Sequence, residues 1–162
     1  MGFEARLTEL GLSLPEPANP GTGFATSFAW TRSRGNRVYV AGHGAFDPDG
    51  RPAGPFGKFP SEVSVETATE AARQTGLAIL ASLKQEVGDP DRIAAWLMVW
   101  GTVNADPGFP NTTQVINGFS DVILAVFGDE VGRHARMALG VAALPLNSAV
   151  VIWAEVEVDT AP

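Results

Sequence analysis

The final run from Val150 to Val158, V-V-I-W-A-E-V-E-V, restricts the fold more than any other stretch. Val150, Ile152, Ala154, Val156 and Val158 alternate with Val151, Trp153, Glu155 and Glu157. Unbroken period two of this kind is a β-strand with one face in a core. The strand needs a sheet around it and something to cover its aliphatic side. Two stretches upstream can do so. From Ser64, a plausible N-cap, to about Val87, the residues Ala68, Ala72, Thr75, Ile79, Leu83 and Val87 form one helical stripe, with Ala71, Gly76 and Leu80 beside it and Gly88 as the stop. The small residues in that stripe predict close packing on the sheet. A second helix is expected from about Thr113 to Phe127, burying Val115, Ile116, Phe119, Val122, Ile123 and Val126 and closing at Gly128.

The other elements follow from turn chemistry and alternation. Ser27–Ser33 and Arg37–Gly42 flank Arg34-Gly35-Asn36 and read as a hairpin. Asp47-Pro48-Asp49-Gly50 is a turn, and the Pro- and Gly-rich run to Pro60 continues as loop. Ile93 to Val103 is an almost continuous apolar strand, with Trp96, Met98 and Trp100 expected on one side and Leu97 and Val99 on the other. In Gly132–Pro145, G-R-H-A-R-M-A-L-G-V-A-A-L-P, bulky Met137, Leu139 and Val141 alternate with Arg136, Ala138, Gly140 and Ala142. A short helix over Phe3 to Leu10, ended by Gly11, and an extended connector from Leu14 to Gly23 precede the rest.

The expected architecture is a single α+β domain over residues 1–162, with the helix and connector in 1–23 and the core in 24–158. One mixed sheet carries two helices packed on one face. Its other face would present Val151, Trp153 and one side of the Ile93–Val103 strand, a patch that favours burial against other subunits.

Composition removes several function classes. The formal net charge of −7 opposes tight binding to a phosphate backbone, so no nucleic-acid partner is expected. The absence of cysteine excludes disulfides, thiolate metal sites and cysteine nucleophiles. No stretch approaches the roughly 20 apolar residues of a membrane span, and the first residues lack an apolar signal core; a cytoplasmic protein with no membrane partner is expected. His43 and His134 are the only histidines, without an acidic cluster beside them, so neither a metal nor a cofactor is expected. No G-x-S-x-G elbow is present, and A-G-H-G-A-F lacks a phosphate-cradling spacing. Glu155 and Glu157 share a strand face where carboxylates are usually solvated. Arg136 has two readings, a solvated surface charge or a guanidinium gripping a carboxylate through two parallel hydrogen bonds. Asn117, in V-I-N-G-F-S, is either a capping or helix-surface residue or a buried polar group that needs partners.

Four segments resemble the Rid/YjgF family of reactive-intermediate deaminases, also described as L-PSP endoribonuclease-like. They are G-N-R-V-Y-V-A-G-H-G, S-V-E-T-A-T-E-A-A-R, V-I-N-G-F-S-D and H-A-R-M-A-L-G-V-A-A-L-P, and together they span most of Phe28 to Val158. The likeness is greatest to a longer branch with an added N-terminal helix. It implies a chorismate-mutase-like fold and a homotrimer with ligand clefts between subunits. It also implies hydrolysis of 2-imino or enamino acids to 2-keto acids and ammonia, with Arg136 anchoring the substrate carboxylate. Asn117 and Gly42 fall at positions of the family's ligand site. Three others depart from it: the family's first-strand tyrosine falls at Phe28, the cysteine after the arginine at Ala138, and a last-strand glutamate at Val151. Without that glutamate, water would have to be oriented by backbone carbonyls near Gly42 or the Ser27 hydroxyl, with His43 as a proton shuttle. The alternatives are a family hydrolase for a bulkier or aromatic substrate, a trimeric small-carboxylate binder without turnover, and, last, an endoribonuclease.

Overall fold

A computed structural model describes residues 2–19 and 26–159. The chain runs α1 (Phe3–Glu9), β1 (Thr31–Arg34), β2 (Arg37–His43), α2 (Val65–Val87), β3 (Ile93–Asn104), α3 (Thr112–Gly132), β4 (Ala135–Val141) and β5 (Val150–Val158). The sheet order is β1-β2-β5-β3-β4. β5 runs antiparallel to both β2 and β3, whereas β4 runs parallel to β3 because α3 carries the chain across between them.

The expected start and stop signals operate. The Ser64 hydroxyl accepts from the Thr67 amide at 3.2 Å to open α2, and Gly88, at φ 77°, ends it. Gly128 (φ 74°) breaks α3 where the sequence predicts a stop, yet a further helical turn carries on to Gly132. The last strand places Ile152, Ala154, Val156 and Val158 in the core with Val38, Val40, Val99 and Val103. α2 and α3 cover that face at close range. A Cβ on Gly118 would lie 2.1 Å from the Thr69 carbonyl oxygen, so only glycine permits this helix–helix contact.

Three expectations are corrected. The strand anticipated at Ser27–Ser33 begins only at Thr31, so Ser27 and Phe28 lie outside the sheet in a bend, with Phe28 exposed. Trp96 does not share a side with Met98 and Trp100. Trp96 pairs with Val156 and Met98 with Glu155, so Leu97 is an extra residue, and this bulge sends Trp96 into the core while Met98 and Trp100 face the open side. The third concerns α2, which is buried well beyond one stripe: Leu77, Ala78, Ala81 and Ser82 are also inside. The N-terminal segment lies over the outer side of that helix, held to the 47–50 turn by Glu16 N to Pro48 O and Asn19 N to Gly50 O. Part of the predicted connector, residues 20–23, lies outside the described residues.

The uncovered face is apolar at its centre. Trp100 and Trp153 stack with ring centroids 5.8 Å apart at 10°, and Met137 and Leu139 stand beside them, 45% and 48% exposed.

Candidate functional site

β4 is an edge strand, and its alternation sends Met137 and Leu139 to the open face. Arg136 and Ala138 therefore look the other way, toward α3. The Arg136 guanidinium donates from Nη1 to the Ser120 Oγ at 2.9 Å and from Nη2 to the Thr113 carbonyl at 3.4 Å. Both partners are neutral oxygens, and Arg136 makes no salt bridge with another described residue. Burial lowers its pKa from the ordinary arginine value, with the Asp121 carboxylate acting in the opposite direction. A half-desolvated cation without a contacting counter-ion is disposed to accept an anion. Asn117 lies between Thr113 and Asp121 on the same helical stripe and is exposed. Its helix-surface reading is the one observed.

A second group forms at the β2–β5 boundary. A Cβ on Gly42 would meet Val151 Cγ1 at 2.8 Å, so these two residues are in contact. Trp30, Phe46 and Leu146 line the same small cleft, and the Phe28 ring packs edge-on against Trp30 at 5.1 Å. Among the described residues lining this cleft, the polar side-chain groups are the Ser148 hydroxyl and the Trp30 indole N–H. One chain does not unite the two groups. Ala138 pairs with Gly101, and Gly101 with Ile152, so Val151 is about 10 Å away across two strand spacings and faces the opposite side of the sheet.

The match to known proteins decides the family. The model for the family described as "YjgF/chorismate mutase-like, putative endoribonuclease" matches residues 4–158. This chain belongs to that family. The YjgF-family protein is similar to Protein TCP17 of Trypanosoma cruzi, with 36% identity over 156 residues, covering 96% of this chain and 93% of that one. Among solved structures it is similar to a protein of unknown function from Agrobacterium tumefaciens, at 34% identity and TM-score 0.84, covering 98% of this chain and 92% of that one. A structure described as a "putative endoribonuclease" from Shewanella oneidensis matches at 26% identity and TM-score 0.87, covering 98% of this chain and all of that one. Membership supports a general Rid-like role on a chorismate-mutase-like fold.

His43 is not available to this YjgF-family protein as a proton shuttle at a cleft. It is 0% exposed, its Nδ1 donates to the Ala41 carbonyl at 2.7 Å, and its Nε2 lies 2.9 Å from the Ser82 hydroxyl inside the core. Burial pushes its pKa down to about 4. A concavity of about 490 Å³ lies where the loop after β3 meets the end of β4, beside Lys58, Asp106, Phe109 and Gly140; Arg136 does not line it. Lys58 is tied down there by Asn104 Oδ1 at 2.8 Å and the Ala142 carbonyl at 2.5 Å, which fits a structural clasp. Among the described residues no cluster of His, Asp and Glu could hold a metal, and no helix is long and apolar enough to cross a membrane. Sequence reasoning missed Ser120. Its signal was the polar stripe Thr113, Asn117, Ser120 and Asp121 on α3, opposite the apolar stripe that identified the helix.

Proposed function

We propose that this protein hydrolyses 2-imino or enamino acids to 2-keto acids and ammonia, and that Arg136 anchors the substrate carboxylate. The observation that carries the reading is the half-buried Arg136 guanidinium, held by two neutral oxygens without a salt-bridge partner among the described residues. In the reaction, water adds to the C=N carbon to give a carbinolamine. The C–N bond then breaks, and nitrogen leaves as ammonia with the carbonyl behind it. Imines of this kind hydrolyse unaided, so holding the carboxylate and exposing one face of the C=N bond to water supplies useful acceleration through positioning.

The second half of the site comes from a neighbouring copy. The open face, with Trp100, Trp153, Met137 and Leu139, is the surface through which subunits associate in a homotrimer. Assembly brings the Gly42–Val151 cleft of one protomer, with Phe28 and Trp30 at its rim, to the β4 edge of the next. Aromatic and aliphatic walls there favour a substrate with a bulky apolar side chain.

One observation favours a second reading, a carboxylate-binding protein without turnover: no titratable side chain lines the Gly42–Val151 cleft. A single experiment separates the two. The purified protein is given 2-imino acids of small and bulky side chain, generated in situ, and ammonia release is followed. Catalysis predicts acceleration that Arg136→Ala reduces at least about tenfold, the loss expected for a desolvated charge-assisted pair. No acceleration with any imino acid, together with Arg136-dependent binding of a 2-keto acid, supports the binder and overturns the hydrolase. The net charge of −7 opposes RNA binding, and an endoribonuclease reading requires RNA cleavage that survives further purification.

A further inference from the structure

Arg136 is the first member of a hydrogen-bonded chain that links β4 to α3. Its Nη1 lies 2.9 Å from Ser120 Oγ, Ser120 Oγ lies 2.9 Å from His134 Nε2, and His134 Nδ1 lies 2.7 Å from the Gly132 carbonyl. The two ends fix the direction of every link. A carbonyl oxygen can only accept, so Nδ1 carries the imidazole proton, and in the neutral ring Nε2 is then an acceptor. The Ser120 hydroxyl must donate to Nε2. Its lone pairs are thereby turned toward Arg136, and a guanidinium can only donate. The ring is held neutral by its surroundings. His134 packs against Phe119 and Trp96, with centroids 5.9 and 6.5 Å away, and both burial and the Arg136 charge lower its pKa.

Two of the five guanidinium N–H groups are engaged, by Ser120 and Thr113, which leaves Nε and one N–H on each Nη for a ligand. That is enough for a two-bond grip on a carboxylate, provided the plane of the group does not swing. We propose that Ser120 and His134 are positioning residues for the carboxylate site: His134 orients the Ser120 hydroxyl, and the hydroxyl sets the plane in which Arg136 meets the substrate. This inference rests on the carboxylate-anchor reading of Arg136 and deepens it. Neither residue touches the reacting atoms, so their loss should weaken binding and leave the chemical step alone.

The test measures the Kd of 2-oxobutyrate by calorimetry for the wild-type protein, Arg136→Ala, Ser120→Ala, His134→Leu and the Ser120→Ala/His134→Leu double variant. Folding is checked for each by circular dichroism and oligomeric state. Steady-state kinetics with an imino acid accompany the binding data. Ser120→Ala is expected to raise Kd and KM about five- to tenfold with kcat within about twofold of wild type, the size of effect of one hydrogen bond to a charged group. His134→Leu is expected to raise them about three- to fivefold. The double variant should be no worse than Ser120→Ala alone, because both changes break the same chain. If Arg136→Ala abolishes binding while Ser120→Ala and His134→Leu stay within twofold of wild type, the relay is wrong and the carboxylate anchor stands. Multiplicative losses in the double variant, or a fall in kcat equal to the rise in KM, also overturn it. Absence of 2-oxobutyrate binding to the wild-type protein overturns both readings.

Discussion

Acid should destabilise this protein through His43, a buried ring packed behind the Gly42–Val151 cleft against Trp30 and Phe46. His43 is fully buried, donates from Nδ1 to the Ala41 carbonyl and accepts at Nε2 from the Ser82 hydroxyl, so a second proton would put an unpaired charge out of reach of water. Burial lowers its pKa from 6.5 to about 4. Between those values the unfolded chain binds a proton that the folded chain refuses, so stability falls as pH drops through that window and is unaffected above it. The cost is on the order of 1 kcal/mol at pH 5.5 and about 2 kcal/mol at pH 5, tending to about 3 kcal/mol below pH 4. That is a large share of a typical domain's roughly 5–15 kcal/mol. Urea unfolding followed by tryptophan fluorescence at pH 7.5, 6.5, 5.5 and 5 reads it directly, with protein concentration held constant so that assembly does not shift the midpoint. Glu86, whose pKa is lowered mainly by the Ser33 hydroxyl, exerts its effect at and below the ordinary carboxylate range, and stopping at pH 5 keeps most of it out. The control is His43→Leu combined with Ser82→Ala, which removes both the titrating ring and the hydroxyl it would strand. This variant should lose most of the slope between pH 7.5 and 5 and keep a small remainder from His134, whose pKa is also lowered. A wild-type protein equally stable at pH 7.5 and pH 5, or a double variant with the full slope, would refute the reasoning.

Other perturbations test the packing and the assembly. Gly118→Ala places a methyl against the Thr69 carbonyl oxygen, a backbone atom that moves only if α2 and α3 separate, and should cost about 3 kcal/mol in urea unfolding. Ser64→Ala removes the cap of α2 and should cost about 1 kcal/mol, seen as a Tm lowered by roughly 2–4 °C. Met137→Asp puts a carboxylate on the open sheet face and should convert a trimer into monomers in analytical ultracentrifugation. A wild-type protein that is itself monomeric at micromolar concentration would remove the inter-subunit cleft from the proposal.

The fold was legible where one residue type has one physical use. Val150–Val158 had to be a strand with a single buried face, and Ser64 and Gly88 bracket α2 as cap and stop. Other features depend on partners distant in sequence. The bulge at Leu97 is set by pairing with β5; within β3 itself both sides are apolar, so the alternation gives no sign that a residue is extra. The wide burial of α2 depends on distant partners: Ser82 meets His43 of β2 and Ala81 lies beside the N-terminal segment, contacts that the stripe of α2 does not encode. Phe28 falls in the stretch that the Arg34-Gly35-Asn36 turn pairs with Arg37–Gly42, whereas only Thr31–Arg34 finds a ladder on β2. At the site, the polar character of Arg136 was plain, but Ser120 and His134 become its partners only through the return of α3 over β4.

The orientation of β4 is the most consequential of these differences. The alternation of β4 does not say which of its faces meets the helices; Arg136 lies on the helix side and the bulky set Met137 and Leu139 occupies the open face. The reason is room. α3 sits so close to the sheet that a Cβ at Gly101 would strike Ile116 at 2.6 Å, and a Cβ on Gly140 would lie 3.6 Å from the Thr112 side chain. Under that helix β4 accommodates Ala138 and Gly140, with the long Arg136 side chain reaching out along the α3 surface to Ser120 and Thr113. Methionine and leucine are thereby left facing outward, nearly half exposed, next to a stacked tryptophan pair. A soluble monomer gains nothing from that distribution, whereas a protomer gains both a sticky face and a cation at the rim of the same strand. The two faces of β4 thus have separate chemistry: exposed Met137 and Leu139 favour burial against another surface, and Arg136 offers a cation on the helix side.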